Sequence, residues 1–420
     1  MASAGRPSAV PDDEDEVTTS TDKRAADPRI AWYRNVRILR VVVQSVFVAA
    51  VFTLLFWLFN NLINNLDRLR IGTDFGFLGR STGFQIPYDE GFDPRSPVRD
   101  MVLVGVKNTL LAGFFGILLA TVLGVIIGVS RLSTNWLVAK LAAIYVETFR
   151  NIPPLIIIIF FGFAVFTYGP FPVLSNAAEI RFPGADRTGL ILSNTVWGIP
   201  SFLAGPNIGV FWAFMAVAVV AAAVAFGWRT RLHERTGAPE RRARWSFGVF
   251  TVVALAGLVL GGDAFSISWP ELSETRRRVV GGFRLNNGFI SVTVALGLYT
   301  ASHIAEIIRG SILAVPKGQS EAANAIALTG FQRYRYVLLP QAMRIAVPPI
   351  ISQYLNLVKN TSLGVAVAYA EITNLTLTSI GNGRPAPQSI LVLMGVYLMF
   401  SLTISFLLNI YNRRIQLVEH

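Results

Sequence analysis

The segment EAANAIALTGFQRYRYVLLP, residues Glu321 to Pro340, carries charge and a glycine although it lies between two long apolar runs. Charged groups are costly in hydrocarbon, so this segment must lie in water. Ser320 is placed to cap a helix, Gly330 to end it, and Pro340 to stop or kink a second short helix. The pattern predicts a helical hairpin that either docks in a groove of another protein or lies as an ordinary loop at the membrane surface.

The composition on both sides of this segment is typical of a membrane protein. The chain has 420 residues, of which 53% are hydrophobic and only 15% are charged. Apolar runs of about 20 residues can cross a bilayer as helices. We therefore predict an all-α polytopic membrane protein with about eight transmembrane helices, the third of them broken at Pro153-Pro154. The predicted spans are Val41–Phe59, Lys107–Val129, Trp136–Phe166, Ile208–Trp228, Phe247–Gly261, Phe289–Ile308, Ile345–Tyr369 and Ser389–Tyr411.

Three basic segments set the predicted orientation. They precede the first span, join the fourth to the fifth, and follow the eighth, so all three fall on one side of the membrane. Basic loops favour the cytoplasm, which predicts that both termini are cytoplasmic. The triplet Arg276-Arg277-Arg278 falls on the opposite side and argues mildly against this orientation. The net charge of +12 is explained by these loops and does not indicate nucleic-acid binding.

The predicted organisation has a membrane core in two parts, separated by an insertion. The ends of the chain are predicted to be tails, the first of them disordered because its Ser, Pro and acidic residues cannot build a core. The predicted segments are a disordered cytoplasmic tail (1–35), the first transmembrane helix and outer loop (36–100), the first part of the core (101–167), an outer insertion with two extra transmembrane helices (168–287), the second part of the core (288–415, with the hairpin at 318–342) and a C-terminal tail (416–420).

Small residues recur at every fourth position of the second span, at Ala112, Gly116, Ala120, Gly124 and Gly128. Such a stripe lets a neighbouring helix approach closely in lipid. The alternative is that Gly and Ala are simply common in membrane helices. Both interpretations concern packing and imply no chemistry.

The sequence contains no phosphate-binding loop of the form GxxxxGK[ST], no cysteine and only three scattered histidines. It shows no catalytic triad, which argues against an intramembrane enzyme. The energy for any transport must come from a partner chain or an ion gradient. The chain is then either the membrane half of an ATP-driven importer or an ion-coupled secondary transporter. A secondary transporter should show an internal repeat, and none is convincing here.

The hairpin resembles a known motif. Glu321-Ala322-Ala323, followed by Gly330 and then Leu338-Leu339-Pro340, is similar to the EAA signature of ABC importer permeases. In that family the segment is a coupling helix that docks into an ATP-binding subunit. The resemblance implies that ATP and Mg are held by a partner ATPase and that this chain is a transport subunit without catalytic residues. The implied docking residues are Glu321, Ala322, Ala323, Gly330, Arg333, Leu339 and Pro340.

Residues 100–165 and 288–415 resemble the polar amino acid uptake permeases with a type I ABC importer fold. The insertion and the segment Gly76–Tyr88 resemble the longer, Q-type permease of the general L-amino acid system. This resemblance implies a bacterial plasma (inner) membrane protein that works with an ATPase, a second and different permease chain, and an extracytoplasmic amino acid binding protein. The block 168–287 is absent from typical small members, so spans four and five are not expected to carry transport chemistry. The run PPLIIIIFF also departs from the family pattern, and this departure bears on the choice of substrate.

An amino acid is a zwitterion, so its path needs hydrogen-bond donors for the carboxylate and acceptors for the ammonium group. Polar residues within spans are costly and often functional. The candidate path residues are Gln353, Asn356, Lys359, Asn360, Thr361 and Glu147. The alternative for each is hydrogen bonding between helices or an ion pair within the chain, and Glu306 with Arg309 are expected to form such a structural pair at i, i+3 spacing.

Overall fold

A computed structural model describes residues 36–69, 74–87, 89, 91–182, 187–237 and 241–415. The predicted tails at 1–35 and 416–420 lie outside these residues. The α-helices are α1 (Val36–Arg68), α2 (Val98–Ser130), α3 (Trp136–Asn151), α4 (Pro154–Ile159), α5 (Ile208–Thr236), α6 (Arg242–Leu260), α7 (Asn287–Leu313), α8 (Lys317–Ala325), α9 (Gly330–Arg333), α10 (Leu339–Asn360), α11 (Ile372–Gly381) and α12 (Ala386–Ile415).

The predicted helical membrane fold is confirmed. Among the described residues, six helices are long and apolar enough to cross a membrane, and the number rises to eight if each of two bent helix pairs is counted as one span. The first bent pair turns by 104° between α3 and the segment Pro154–Thr167. The break falls at the predicted prolines, because a proline lacks the backbone N–H that a continuous helix requires. The second pair turns by 45° after Val367.

The chain divides into two compact units after Thr73. The first contains α1, a helix of 33 residues whose side chains are exposed along most of its length. The second contains every other element. Within this second unit α7 is the most buried of the candidate spans. Gly124 and Gly128 of the small-residue stripe on α2 face it at close range, and a Cβ on Gly124 would lie 2.6 Å from Ile304 Cγ2, whereas Gly116 faces Leu357 of α10.

The insertion contains β-structure that the sequence analysis did not predict. Its main sheet is antiparallel, in the order β1-β2-β3-β8, and two further strand pairs join β4 to β5 and β6 to β7. The strands are β1 (Ala178–Arg181), β2 (Thr188–Leu192), β3 (Val196–Ile199), β4 (Ser201–Ala204), β5 (Phe265–Ser268), β6 (Glu271–Leu272), β7 (Val279–Val280) and β8 (Phe283–Asn286). They are two to five residues long, too short for alternation to mark them against an apolar background.

This sheet leads directly into the membrane core. The side chain of Asn286 caps α7 by accepting a hydrogen bond from Phe289 N at 2.7 Å. The neighbouring Asn287 donates to Thr167 Oγ1 at 2.7 Å and so ties the start of α7 to the end of the third span. Arg276 of the unexpected basic triplet pairs with Glu179 at 3.2 Å, which places that arginine in the folded insertion.

Candidate functional site

The hairpin forms, but its boundaries differ from the expected ones. α8 begins at Lys317 after Pro316, so the prediction that Ser320 caps it is wrong. α8 ends at Ala325 with Ile326 as its C-cap, and the residue with a left-handed backbone is Ala327, with φ of +57°. Gly330 does not end a helix. It is the first residue of α9, whose cap is Thr329.

The second arm of the hairpin also differs from the expected short helix. α9 continues through a π-helical segment, Tyr334–Leu338, into α10 without a break. Pro340 therefore does not stop the helix, and it lies in the first turn of α10, directly after the π-helical segment. The second arm and the seventh span thus form one connected helical rod, through which a push on the hairpin would reach the membrane.

Side-chain contacts hold the two arms together. The hydroxyl of Thr329 and the amide of Gln332 form a reciprocal capping box at the start of α9. Arg333 Nη1 donates to Asn324 Oδ1 at 2.9 Å, from the second arm to the first. A small apolar cluster of Val315, Leu338 and Ala342 lies at the base of the hairpin.

The tip of the hairpin exposes large apolar side chains. Ile326 and Phe331 are 72% and 71% exposed, and Tyr336 is 65% exposed. Among the predicted docking residues, Glu321, Ala322, Gly330, Leu339 and Pro340 are exposed, Arg333 is half-buried, and Ala323 is buried beneath them. Ala323 is therefore part of the support of this surface and does not lie on it.

The predicted path residues on α10 lie beside its packed face. Leu357 and Val358 pack against Gly116 and Gly113 of α2, and Tyr354 Oη lies 2.7 Å from Thr121 Oγ1. The next face carries the polar candidates: Gln353 and Asn360 are half-buried, and Asn356 and Lys359 are exposed. Thr361 is fully buried and donates to Val358 O, which gives it a structural role.

Glu147 lies elsewhere, in an open cavity of about 380 Å³ whose described lining also includes Arg131, Arg150, His303 and Glu306 and none of the α10 candidates. Glu306 is the centre of an ion-pair network. It pairs with Arg309 at 2.6 Å, which confirms the expected structural pair, and with Arg131 at the end of α2. Arg150 of α3 approaches it to 4.0 Å. Glu147 itself forms no ion pair with any described residue.

Sequence reasoning missed Glu371, which is fully buried at the bend of the seventh span. Its carboxylate caps α11 by accepting hydrogen bonds from Thr373 N at 2.9 Å and Asn374 N at 2.7 Å. Tyr397 of α12 donates to the same carboxylate at 3.1 Å. The available signal was an acidic residue directly before a helical run. The start of that helix was not recognised because the run lies in a long apolar stretch.

The described residues contain no group of three or more His, Cys, Asp or Glu side chains that could hold a metal ion. The structure combines candidate spans packed around α7 with an exposed hairpin that continues into a spanning helix. These two features define the class of multi-spanning permeases. A family model confirms this class. The model for the inner membrane component of binding-protein-dependent transport systems matches residues 120–417, and the chain belongs to that family.

The relatives of the chain include bacterial permeases. It is 39% identical over 385 residues to a putative amino-acid ABC transporter permease, YhdX, of Escherichia coli K12, with 90% of this chain and 94% of that protein covered. It is 35% identical to the general L-amino acid transport system permease AapQ of Rhizobium johnstonii, with 94% of each chain covered. A solved amino acid ABC transporter aligns over 75% of this chain and 94% of its own, at a TM-score of 0.45 and 16% identity.

Proposed function

We propose that this chain is a permease subunit of an ATP-driven importer of L-amino acids in the bacterial plasma membrane. The observation that carries the proposal is similarity to named amino acid permeases over nearly the full length of both chains, including the insertion. A further relative, from Rhodobacter capsulatus, is named for glutamate, glutamine, aspartate and asparagine transport and is 34% identical over 94% of this chain. An ion-coupled transporter is disfavoured, since the family is named for binding-protein-dependent transport.

The hairpin is the proposed docking site for the ATPase that supplies the energy. Its exposed apolar tip, with Ile326 and Phe331 above a buried Ala323, suits a groove on a soluble partner. Glu321, Ala322, Gly330, Arg333, Leu339 and Pro340 complete the proposed surface, while ATP and Mg bind the partner. Coupling requires that the hairpin make different contacts with two states of the ATPase. The continuous helix from Gly330 to Asn360 would carry that difference to the membrane.

The polar face of α10 is the proposed path for the solute. Gln353, Asn356 and Asn360 lie on one side of a spanning helix, and hydrocarbon is a poor environment for their amides. Water or a second permease chain must therefore cover this face. Amide donors and acceptors suit both ends of a zwitterion, and Lys359 adds a cation for the carboxylate. Glu147, in its separate cavity, is proposed as a second contact for the ammonium group.

The insertion, residues 168–287, is proposed to be an accessory to the transport machinery. Its sheets lie before α7, on the side opposite the docking hairpin, where an extracytoplasmic binding protein would deliver the solute. With both termini in the cytoplasm, the hairpin and the ATPase are on the same side of the membrane.

The test is a pull-down from detergent-solubilised membranes through a tag on this chain. We expect an ATPase with a phosphate-binding loop to co-purify, and Glu321→Lys to reduce its recovery at least tenfold. Glu274→Lys is the matched control, because it makes the same charge change at an exposed site in the insertion. A chain that purifies alone and moves amino acids into vesicles without ATP would instead be a secondary transporter.

A further inference from the structure

The turn between α5 and α6 concentrates positive charge. Six arginines and two acidic residues, Glu234 and Glu240, lie between Trp228 and Trp245. Two of the arginines stack on aromatic rings of the helical hairpin formed by α5 and α6. Arg229 lies 5.3 Å from the ring centroid of Trp245, and Arg242 lies 5.3 Å from that of Phe226. The arginines of this turn are Arg229, Arg231, Arg235, Arg241, Arg242 and Arg244.

Two of these cations, Arg241 and Arg244, have no carboxylate partner among the described residues. Both side chains are exposed, and neither guanidinium group has a hydrogen-bond or ion-pair partner among the residues that the structure describes; the backbone carbonyl of Arg241 accepts from Trp245 N at 3.1 Å. They stand at the head of one face of α6 that continues through Trp245, Gly248 and Val252. An open cleft of about 500 Å³ runs along this face, and its described lining is apolar apart from the two arginines.

The position of this face matches the depth of lipid headgroups. α6 has 19 residues, so it is about 28 Å long, close to the thickness of the hydrocarbon core of a bilayer. Its first turn therefore lies at the membrane surface, where tryptophans such as Trp245 are typical. From Arg241 to Val253 the face extends about 18 Å, slightly more than one leaflet of a core about 30 Å thick.

The α5–α6 hairpin leaves this face available. The buried residues on its two helices are Ala218 and Gly257, within the part of the chain that is described. Phe214 packs over Gly257, and Ser246 Oγ donates to Ala222 O at 2.8 Å, so the two helices pack on one another. A Cβ at Gly248 would meet no atom within 4 Å, which leaves space beside the helix below the arginines.

We propose that this face of α6 binds one anionic phospholipid, with the phosphate on Arg241 and Arg244 and an acyl chain along Gly248, Val249, Val252 and Val253. The charge selects the lipid. Two unpaired guanidinium groups can both contact a phosphate, whereas the quaternary ammonium of a zwitterionic lipid would be repelled by the surrounding arginines. The site is independent of the transported solute and of the docking hairpin.

The test measures lipid binding to the full-length chain in detergent by native mass spectrometry, with phosphatidylglycerol and phosphatidylcholine as separate probes. We expect the wild-type chain to bind one phosphatidylglycerol more tightly than phosphatidylcholine. Arg241→Gln combined with Arg244→Gln should weaken phosphatidylglycerol binding roughly 25-fold, at about fivefold for each arginine near a membrane surface. Binding of phosphatidylcholine should change little.

Two matched controls separate a site from diffuse attraction. Arg231→Gln with Arg235→Gln removes the same charge from the same turn but away from the face, and it should leave most of the phosphatidylglycerol preference intact. Gly248→Leu fills the cleft without altering charge and should weaken binding, whereas Gly227→Leu, at an equally open glycine on α5, should not.

Equal losses in the two arginine pairs would overturn the proposal in favour of the general basic charge of the turn. An unchanged affinity in Gly248→Leu would also contradict it. If the assembled transporter, purified with its other subunits, excludes the lipid that the isolated chain binds, the face belongs to a protein contact and the proposal fails.

Discussion

Ala327 takes the left-handed conformation that usually belongs to glycine in the turn that ends a helix. Leu328 N donates to Ala323 O at 3.1 Å, and Ala327 N donates to Asn324 O at 2.9 Å. These two bonds are the Schellman motif, in which the left-handed residue lies directly after the helix cap. The hairpin therefore depends on an L-residue at a backbone angle that costs it about 1 kcal/mol.

This strain gives a prediction for single residues. Ala327→Val should raise the conformational free energy of the turn, since a β-branched side chain tolerates a positive φ poorly. Amide exchange in residues 317–328 should then become about fivefold faster. Ala327→Gly should slow exchange. Gly330→Ala, at an open helical position, is the control and should change little. Hydrogen exchange of the detergent-solubilised chain measures all three, and a large effect only at Gly330 would contradict this account.

Glu371 joins the two helices that follow the bend. Because its carboxylate accepts two backbone hydrogen bonds and one from Tyr397, Glu371→Ala should lower the free energy of unfolding by about 2 kcal/mol. Glu371→Gln keeps one acceptor oxygen and should lower the free energy of unfolding by a smaller amount. Thermal unfolding in detergent measures the difference, with the exposed Glu321→Ala as the control. Equal unfolding temperatures for all variants would show that the cap contributes nothing.

At the scale of elements, the α2–α7 pair depends on the absence of side chains. A Cβ on Gly128 would lie 2.8 Å from Ala305 O and 3.0 Å from Ile308 Cβ. The first of these is a backbone atom, which cannot move aside as the end of a long side chain can. Gly124 and Gly128 therefore set how closely α2 and α7 approach each other.

We expect Gly128→Ala to destabilise the protein by about 1–3 kcal/mol, because the two helices must separate to admit the methyl group. The matched control is Gly395→Ala on α12, where an added Cβ meets no atom within 4 Å. This control should be neutral or slightly stabilising, since alanine favours helix. The variants are compared by their unfolding midpoints, which are measured by size-exclusion chromatography after heating. Equal midpoints would mean that the stripe does not set the packing.

At the scale of the whole molecule, the α5–α6 hairpin is attached through a pair of short strands. β4 and β5 are antiparallel, with Ala204 opposite Phe265, and Gly205 N donates to Ala264 O at 2.8 Å. The chain thus leaves the core and returns to it at adjacent points. Removal of both helices takes away an even number of spans, so the orientation of α7 would not change.

We predict that the core folds without this hairpin. Replacing residues 206–263 by Asn-Gly, a two-residue turn suited to an antiparallel pair, should give a chain that inserts and unfolds within a few degrees of the full-length protein. Membrane yield and the unfolding midpoint measure this, with deletion of the core helix α12 as the control that should fail. Aggregation of the first variant would show that the hairpin stabilises the core.

The sequence by itself determined the membrane class, the long apolar helices, the break at Pro153-Pro154 and the small stripe on α2. Each rests on local composition or on the missing N–H of proline, which act over one or two helical turns. The pair Glu306–Arg309 was predictable for the same reason, since its two residues are i, i+3 neighbours.

Only the tertiary structure decided the rest. It ended the first helix of the hairpin at Ala325, where the sequence analysis had placed the end at Gly330, and it put the left-handed backbone at Ala327. It brought Arg131 and Arg150 to Glu306 from other helices, and it separated Glu147 from the α10 candidates. It also paired strands of two to five residues, whose stability comes from partners distant in sequence. Contacts between residues far apart along the chain leave no periodic pattern, which is why these features required the folded molecule.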